Sequence, residues 1–381
     1  MSPGKTIAAR YLVAPIKADL KEKMVFVGGP RQVGKTTLSL GILRGDRRHP
    51  AYLDWDVPSQ RGRIRQGEIP PREPLVVLDE IHKYQRWRNL MKGLFDQYHP
   101  EVKFLVTGSA RLDHYRKGGD SLQGRYHYLR LHPFSLGELP GSPATSLQAL
   151  LKLGGFPEPL FKGSERFWRR WNRERLSRVL YEDLRDLERV REVSLIEELV
   201  DALPARVGSP LSIRSLSEDL SVAHDTVERW VTILENLYVC FRVLPLSSTR
   251  VRAVKKERKL YFWDWSAVQD PGPRFENLVA SQLLKYCHFI EDTEGHRMEL
   301  RYLRDVDKRE VDFVVLKDRK AAFAVEAKVG DREMSPSLPY FADRLDIPAF
   351  YQVHLGDRDF RAAPKVRLLP FAAFCREMGM P

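Results

Sequence analysis

The chain predicts an α/β protein with a parallel-sheet core at its N-terminal end, a helical middle and a second α/β unit at its C-terminal end. Three observations predict this. The first 140 residues alternate short apolar runs (MVFVGG, AYLDW, LVVLDE, KFLVTGS) with stretches of helical pattern. Strands buried on both faces of a parallel sheet read as unbroken apolar runs, and crossover helices fill the intervals. The segment SIRSLSEDLSVAHDTVERWVTILENLYVCFRVLPL (212–246) reads as helix, turn, helix and strand, the order of a winged helix-turn-helix. After Pro271 and Pro273 a helix opens at FENLVASQLLKYC, and strand–helix alternation resumes.

Boundaries follow from composition. The Pro- and Ser-bearing stretch ELPGSPATS (138–146) punctuates the chain, giving expected domains at 1–140, 141–260 and 261–381. Hydrophobic residues are 43% and charged residues 30% of the 381, which excludes a disordered chain. No apolar run approaches the ~18 residues of a membrane span, so no membrane partner is expected. MSPGKTIAARYLVAPIK lacks the apolar core and cleavage site of a signal peptide. Cys240, Cys287 and Cys375 form no paired metal or redox spacing and read as buried thiols of a cytoplasmic protein. A net charge of +12 points either to a polyanion such as DNA or RNA or to a solvated arginine-rich surface.

GPRQVGKTT places Gly29, Gly34, Lys35 and Thr36 in the G-x-x-x-x-G-K-[ST] spacing, with Thr37 following, between the apolar strand MVFV and the helix start LSLGIL. A strand-to-helix loop of this kind aims backbone N–H groups at phosphate oxygens. Lys35 would reach the β and γ phosphates of ATP, and the Thr36 hydroxyl would ligate Mg²⁺. LVVLDE supplies the complementary acids. Asp79 would hold the Mg²⁺ shell and Glu80 would polarise the attacking water, whereas Thr107 and Ser109 at the tip of KFLVTGSA would sense the γ-phosphate. Arg125 or Arg111 could complete a neighbouring subunit's site as a trans-acting finger, which requires an oligomer; each could equally be a surface arginine.

GPRQVGKTT, LVVLDEIHK, VTGSA, the GR-to-PFSLGEL segment, GGFPEP (154–159), the helix-turn-helix and the terminal EVDF…EAK occur in that order. Together they resemble the prokaryotic AAA-type ATPases of the archaeal-ATPase clade that carry a winged-helix linker and a C-terminal restriction-endonuclease-like domain. The resemblance covers nearly the whole chain and is most specific over the first 160 residues. It implies a P-loop AAA-type core and assembly into an ATP-dependent homo-oligomer, a hexamer-like ring.

The hairpin REVDFVVLKDRKAAFAVEAK (309–328) carries the second candidate site. Strand alternation puts Val311, Phe313 and Val315 on one face and Glu310 and Asp312 on the other. A turn of about three residues at Asp318–Lys320 places Asp312 opposite Glu326, where two carboxylates repel unless a cation offsets them. Lys328 projects beside them, and Mg²⁺ or Mn²⁺ is the expected cation. The resemblance maps the PD-(D/E)xK nuclease arrangement onto Asp312, Glu326 and Lys328, with Glu276 as an additional acid at the metal. Val311, not proline, precedes Asp312. Without a metal, Glu310 would pair with Lys328 and Asp312 would face water.

In STRVRAVKKERK (248–259) six of twelve residues are basic and only Glu257 is acidic. Arg250, Arg252, Lys255, Lys256, Arg258 and Lys259 would contact phosphates from a wing, and Arg229 would lie on the recognition helix beside Thr226 and Trp230. The reading is an ATP-hydrolysing, metal-dependent DNA endonuclease whose ATPase state regulates cleavage. Its rivals are an ATP-controlled DNA-binding regulator with a non-catalytic nuclease-like domain, and an ATPase that remodels DNA or protein.

Overall fold

The computed structural model describes residues 10–70, 72–108, 122–183, 192–246 and 257–381. They divide into two compact units, the first ending at His132 and the second beginning at Pro133.

In the first unit the four apolar runs become β1 (Met24–Gly28), β2 (Tyr52–Asp54), β3 (Leu75–Asp79) and β4 (Lys103–Thr107), and β5 (Tyr126–Arg130) completes the sheet. All neighbours pair in parallel, in the order β2-β3-β4-β1-β5. Burial on both faces accounts for the unbroken apolar sequence, since helices cover each side. On the helix Trp87–Tyr98, Trp87, Met91 and Leu94 recur at helical spacing and are buried with Phe26, Leu78 and Phe104. The strand that follows β3 in sequence, β4, lies between β1 and β3 in space. Its register aligns Val27 with Thr107 and Thr107 with Asp79, so three strand ends share one edge.

The second unit opens with helical segments, among them Glu165–Arg178, Ile213–Asp219 and His224–Asn236. Its eight-stranded sheet comprises β6 (Cys240–Pro245), β7 (Lys259–Phe262), β8 (Met298–Arg304), β9 (Glu310–Lys317), β10 (Lys320–Ala327), β11 (Phe350–His354), β12 (Phe360–Ala363) and β13 (Val366–Pro370). The order is β12-β13-β11-β10-β9-β8-β6-β7. The strand after helix His224–Asn236 is thus built into the C-terminal sheet, with Leu244 paired to Arg301. The expected boundary at 260 falls inside β7 for this reason, because hydrogen bonding continues across it. Cys240, Cys287 and Cys375 are free and buried.

The helix expected from FENL starts earlier and runs Pro271–Glu294, with Asp270 accepting the Gly272 N–H at 3.2 Å. Proline in the first turn loses no hydrogen bond there. Lys285 on this helix is buried and donates to the Pro133 carbonyl at 3.3 Å, to Ser135 Oγ at 2.8 Å and to the Glu138 carboxylate. Glu138 is itself buried and accepts the Ser135 N–H at 3.1 Å. The pair lies within the second unit, which begins at Pro133.

A buried pair broken on one side leaves an uncompensated charge, at a cost of about 3–5 kcal/mol. Glu138→Ala is therefore expected to lower stability by about that much in urea denaturation, whereas the double change Glu138→Leu with Lys285→Met should recover most of the loss. Equal losses in the single and double variants would show that the pair is not the stabilising element.

Candidate functional site

At the C-terminal edge of the first sheet, β1 runs directly into the glycine loop and the helix Lys35–Leu43. Gly34 caps that helix with φ of 102°, a left-handed conformation that a side chain would strain. Lys35 Nζ, buried, donates to the carbonyls of Gly29 at 2.9 Å and Pro30 at 2.7 Å, across the inside of the loop. The Thr36 hydroxyl donates to Asp79 Oδ2 at 2.7 Å. Thr107 donates to the other Asp79 oxygen, so the expected pair of loop hydroxyl and strand acid converges with the tip of β4. Thr37 is exposed on the first turn, and Ser109 and Arg111 lie outside the described residues.

Glu80 follows Asp79 in a left-handed conformation, φ 55°, and its N–H donates to the Thr107 carbonyl at 3.0 Å. Burial pushes its carboxyl up to about 7, against the lowering effect of the Lys35 and Lys83 charges. Lys83 Nζ lies 3.7 Å and His82 Nε2 3.5 Å from Glu80 Oε2. Arg125 donates from Nε to Asp96 Oδ1 at 2.8 Å and adjoins Tyr126, which pairs with Met24 at the start of β1. It lies at the end of the sheet opposite the glycine loop and does not reach its own chain's phosphate site.

Two contributors escaped the sequence reading. The Tyr52 hydroxyl donates to Asp79 Oδ2 at 2.6 Å. Arg10, buried near the N-terminus, donates to the Val33 carbonyl of the glycine loop at 2.9 Å. Tyr52 was visible only as an apolar strand residue, and nothing local distinguishes Arg10 from a surface arginine.

In the second unit Asp312 and Glu326 are buried and face each other. The Asp312 N–H donates to Glu326 Oε2 at 3.3 Å, and the Ala327 N–H donates to Asp312 Oδ2 at 3.0 Å. The route differs from the expected one. The turn holds only Asp318 and Arg319, both with positive φ, as a two-residue hairpin turn requires. A register shift between Ala321 and Phe323 adds the missing residue, so Asp312 still opposes Glu326. A second shift, between Arg301 and Leu303, leaves Asp312 and Phe313 together opposite Tyr302. The strand phase breaks there, and Val311 packs with Val314 and Leu316 instead of with Phe313 and Val315.

Lys328 is half-exposed, with Nζ 3.0 Å from Glu326 Oε1. Glu276 joins the group, but Lys259 does so too. Its Nζ is 2.5 Å from Glu310 Oε1, 3.2 Å from Glu276 Oε1 and 3.2 Å from Asp312 Oδ1. Burial alone would discharge Lys259, but the three carboxylates more than offset it and hold the ammonium charged. Burial and the neighbouring Asp312 charge raise the pKa values of Glu276 and Glu326. Among the described residues no three acids, histidines or cysteines are grouped so as to hold a metal ion. The residues present fit an ammonium, not the Mg²⁺ or Mn²⁺ expected at Glu276, Asp312 and Glu326.

Lys259 is thus a correction to the expected DNA-contacting set, because its side chain has 0% exposure. The reason is strand phase: it opens β7 and points into the sheet's acid cluster. Arg229 and Arg258 are exposed, and Arg258 lies 3.8 Å from Glu228. Arg250, Arg252, Lys255 and Lys256 lie outside the described residues. Trp230 belongs to the core, leaving Arg229 as the basic member of the exposed face of helix His224–Asn236. No helix among the described residues is long and apolar enough to cross a membrane.

Comparison with known families divides the chain into three. Residues 21–140 match the model of an AAA domain, residues 144–269 a domain of unknown function (DUF8612), and residues 271–374 another (DUF4143). Similar proteins include the uncharacterized proteins Rv2008c of Mycobacterium tuberculosis and Mb2031c of Mycobacterium bovis, each 24% identical over 243 residues. The match covers 63% of this chain and 54% of each relative, so it spans about half the length of those proteins. The glycine loop, Thr36 and Asp79, brought together at one sheet edge, all lie within residues 21–140, the segment that matches the AAA-domain model.

Proposed function

We propose that this chain is an ATP-hydrolysing switch that engages DNA through its second unit and works as a homo-oligomeric ring. The observation that carries the ATPase part is the convergence of Thr36 and Asp79, 43 residues apart in sequence, at 2.7 Å, with Glu80 next to them. Thr36 and Asp79 are the residues that would hold the nucleotide's Mg²⁺, which when bound neutralises phosphate charge. Lys35 orients the phosphates by exchanging its contacts with the Gly29 and Pro30 carbonyls for phosphate oxygens. Glu80 accepts a proton from, or aligns, the attacking water. A pKa near neutrality suits a general base, which is most effective when its pKa is close to the working pH.

Glu80→Gln is expected to retain ATP binding and to lower turnover by about 10²–10⁴-fold, the usual range for a lost general base. Turnover at the wild-type rate would remove Glu80 from this role. Because only the deprotonated carboxylate can accept a proton, wild-type turnover should fall as pH drops through about 7. Glu80→Gln should lack that limb, and a wild-type profile flat between pH 6 and pH 8, on the order of one unit either side of that value, would contradict the assignment.

The DNA reading rests on the net charge of +12 and on the basic segment that precedes β7, with Arg229 and Arg258 exposed beside it. Neutralising Lys255, Lys256 and Arg258 together should weaken DNA binding across sequences and reduce the log–log salt slope by about one per lost phosphate contact. An unchanged slope would return the segment to ordinary solvated surface.

Metal-dependent cleavage by Asp312, Glu326 and Lys328 is the second reading, favoured by the way the hairpin register brings the three together. Lys259 weighs against it. The expected outcome is that purified protein leaves plasmid DNA intact with Mg²⁺ or Mn²⁺, with or without ATP. Cleavage that disappears in Glu326→Ala with Lys328→Ala would instead establish the nuclease.

A further inference from the structure

We infer that the Lys259 ammonium is the built-in cation of the acid cluster, that it takes the place of a divalent metal ion, and that removing it would create a divalent-cation site. The inference concerns the second unit alone and is independent of the ATPase reading.

The geometry is that of a filled site. An ammonium has three N–H donors and no acceptor. Lys259 Nζ has three carboxylate oxygens within 3.2 Å, from Glu276, Glu310 and Asp312, so each donor has an acceptor. The remaining acid, Glu326, takes Lys328 Nζ at 3.0 Å on one oxygen and the Asp312 N–H at 3.3 Å on the other. Arg304 takes the second Glu310 oxygen at 3.0 Å. Four carboxyl groups thus face three cationic side chains of the chain itself, Lys259, Lys328 and Arg304. A doubly charged ion would have to sit against an ammonium already bound to two of its three expected ligands.

Nor can Lys259 easily withdraw. Its side chain is fully enclosed, with the Tyr302 ring 5.6 Å from Nζ. Its backbone is fixed on both sides, paired with Val243 of β6 and bridged to Pro210. Glu276 is largely enclosed as well, its side chain 16% exposed. The Tyr261 hydroxyl donates to its Oε1 at 2.7 Å, and Gly208 leaves room for the carboxylate, since a Cβ there would lie 2.7 Å from Oε2. Lys259→Met would keep most of the side-chain volume but delete the charge, leaving Glu276 and Asp312 without the ammonium and Glu310 with Arg304 alone. Carboxylate oxygens so gathered are the ligand type that Mg²⁺ and Mn²⁺ prefer.

The test is a Mn²⁺ titration of nucleotide-free, full-length protein followed by electron paramagnetic resonance, which counts bound ions without reference to activity. Comparing variants cancels any ion bound at the phosphate site. Wild type and Glu326→Gln are expected to bind the same number of Mn²⁺ ions. Lys259→Met is expected to gain one ion per chain, and Lys259→Met with Asp312→Asn to lose it again. A wild-type ion that disappears in Glu326→Gln would overturn the inference, as would a folded Lys259→Met protein that gains none. Should Lys259→Met not fold by circular dichroism, the comparison of wild type with Glu326→Gln decides. Equal counts then support the built-in cation, and a lost ion refutes it.

Discussion

The glycine loop and the strand ends of the first unit meet at one buried carboxylate, Asp79, at the tip of β3. A buried carboxylate without donors is costly. Three hydroxyls reach this one, from Thr36 on the glycine loop, Tyr52 on β2 and Thr107 on β4. These bonds also hold the loop, the acid strand and the strand between them in one arrangement. Inserting β4 between β1 and β3 is what makes this reachable, since it brings Thr107 into register with Asp79. One of these donors, Thr36, is the group proposed above to hold a nucleotide's cation together with Asp79.

The second unit meets the same problem with opposite means. Its buried acids are balanced by ammonium groups: Lys285 against Glu138, and Lys259 against Glu276, Glu310 and Asp312. Breaking such a pair on one side is expensive, so each one fixes chain segments far apart in sequence. Lys285 joins residues 133–138 to the long helix, and Lys259 joins β7 to the hairpin and to the same helix. Lys259 closes the basic segment and is buried in the sheet, whereas Arg258 before it is exposed.

Much of the first unit was legible from local pattern. Continuous apolar runs gave the four strands at their positions, and G-x-x-x-x-G-K-T with its strand and helix flanks gave the loop. Both signals are local, and local signals survive without knowledge of tertiary contacts. In the hairpin the facing pair Asp312 and Glu326 was found by counting residues, although a two-residue turn plus a bulge, not a three-residue turn, supplied the offset. A bulge leaves no mark in composition. Lys259 was misread because it closes a run of basic residues, and charge runs do not reveal the position at which strand alternation turns one member inward.

The sequence by itself determined the parallel-sheet core, the phosphate loop and the acid pair Asp79–Glu80. These follow from side-chain periodicity and from motif spacing within single segments. Only the tertiary structure decided which donors solvate Asp79, where the first unit ends, and which cation stands among Glu276, Glu310 and Asp312. The physical reason is common to all three. Buried charge must be balanced by whatever group the fold brings within about 3 Å, the hydrogen-bonding distance. That partner is set by strand order and register, not by nearness in sequence.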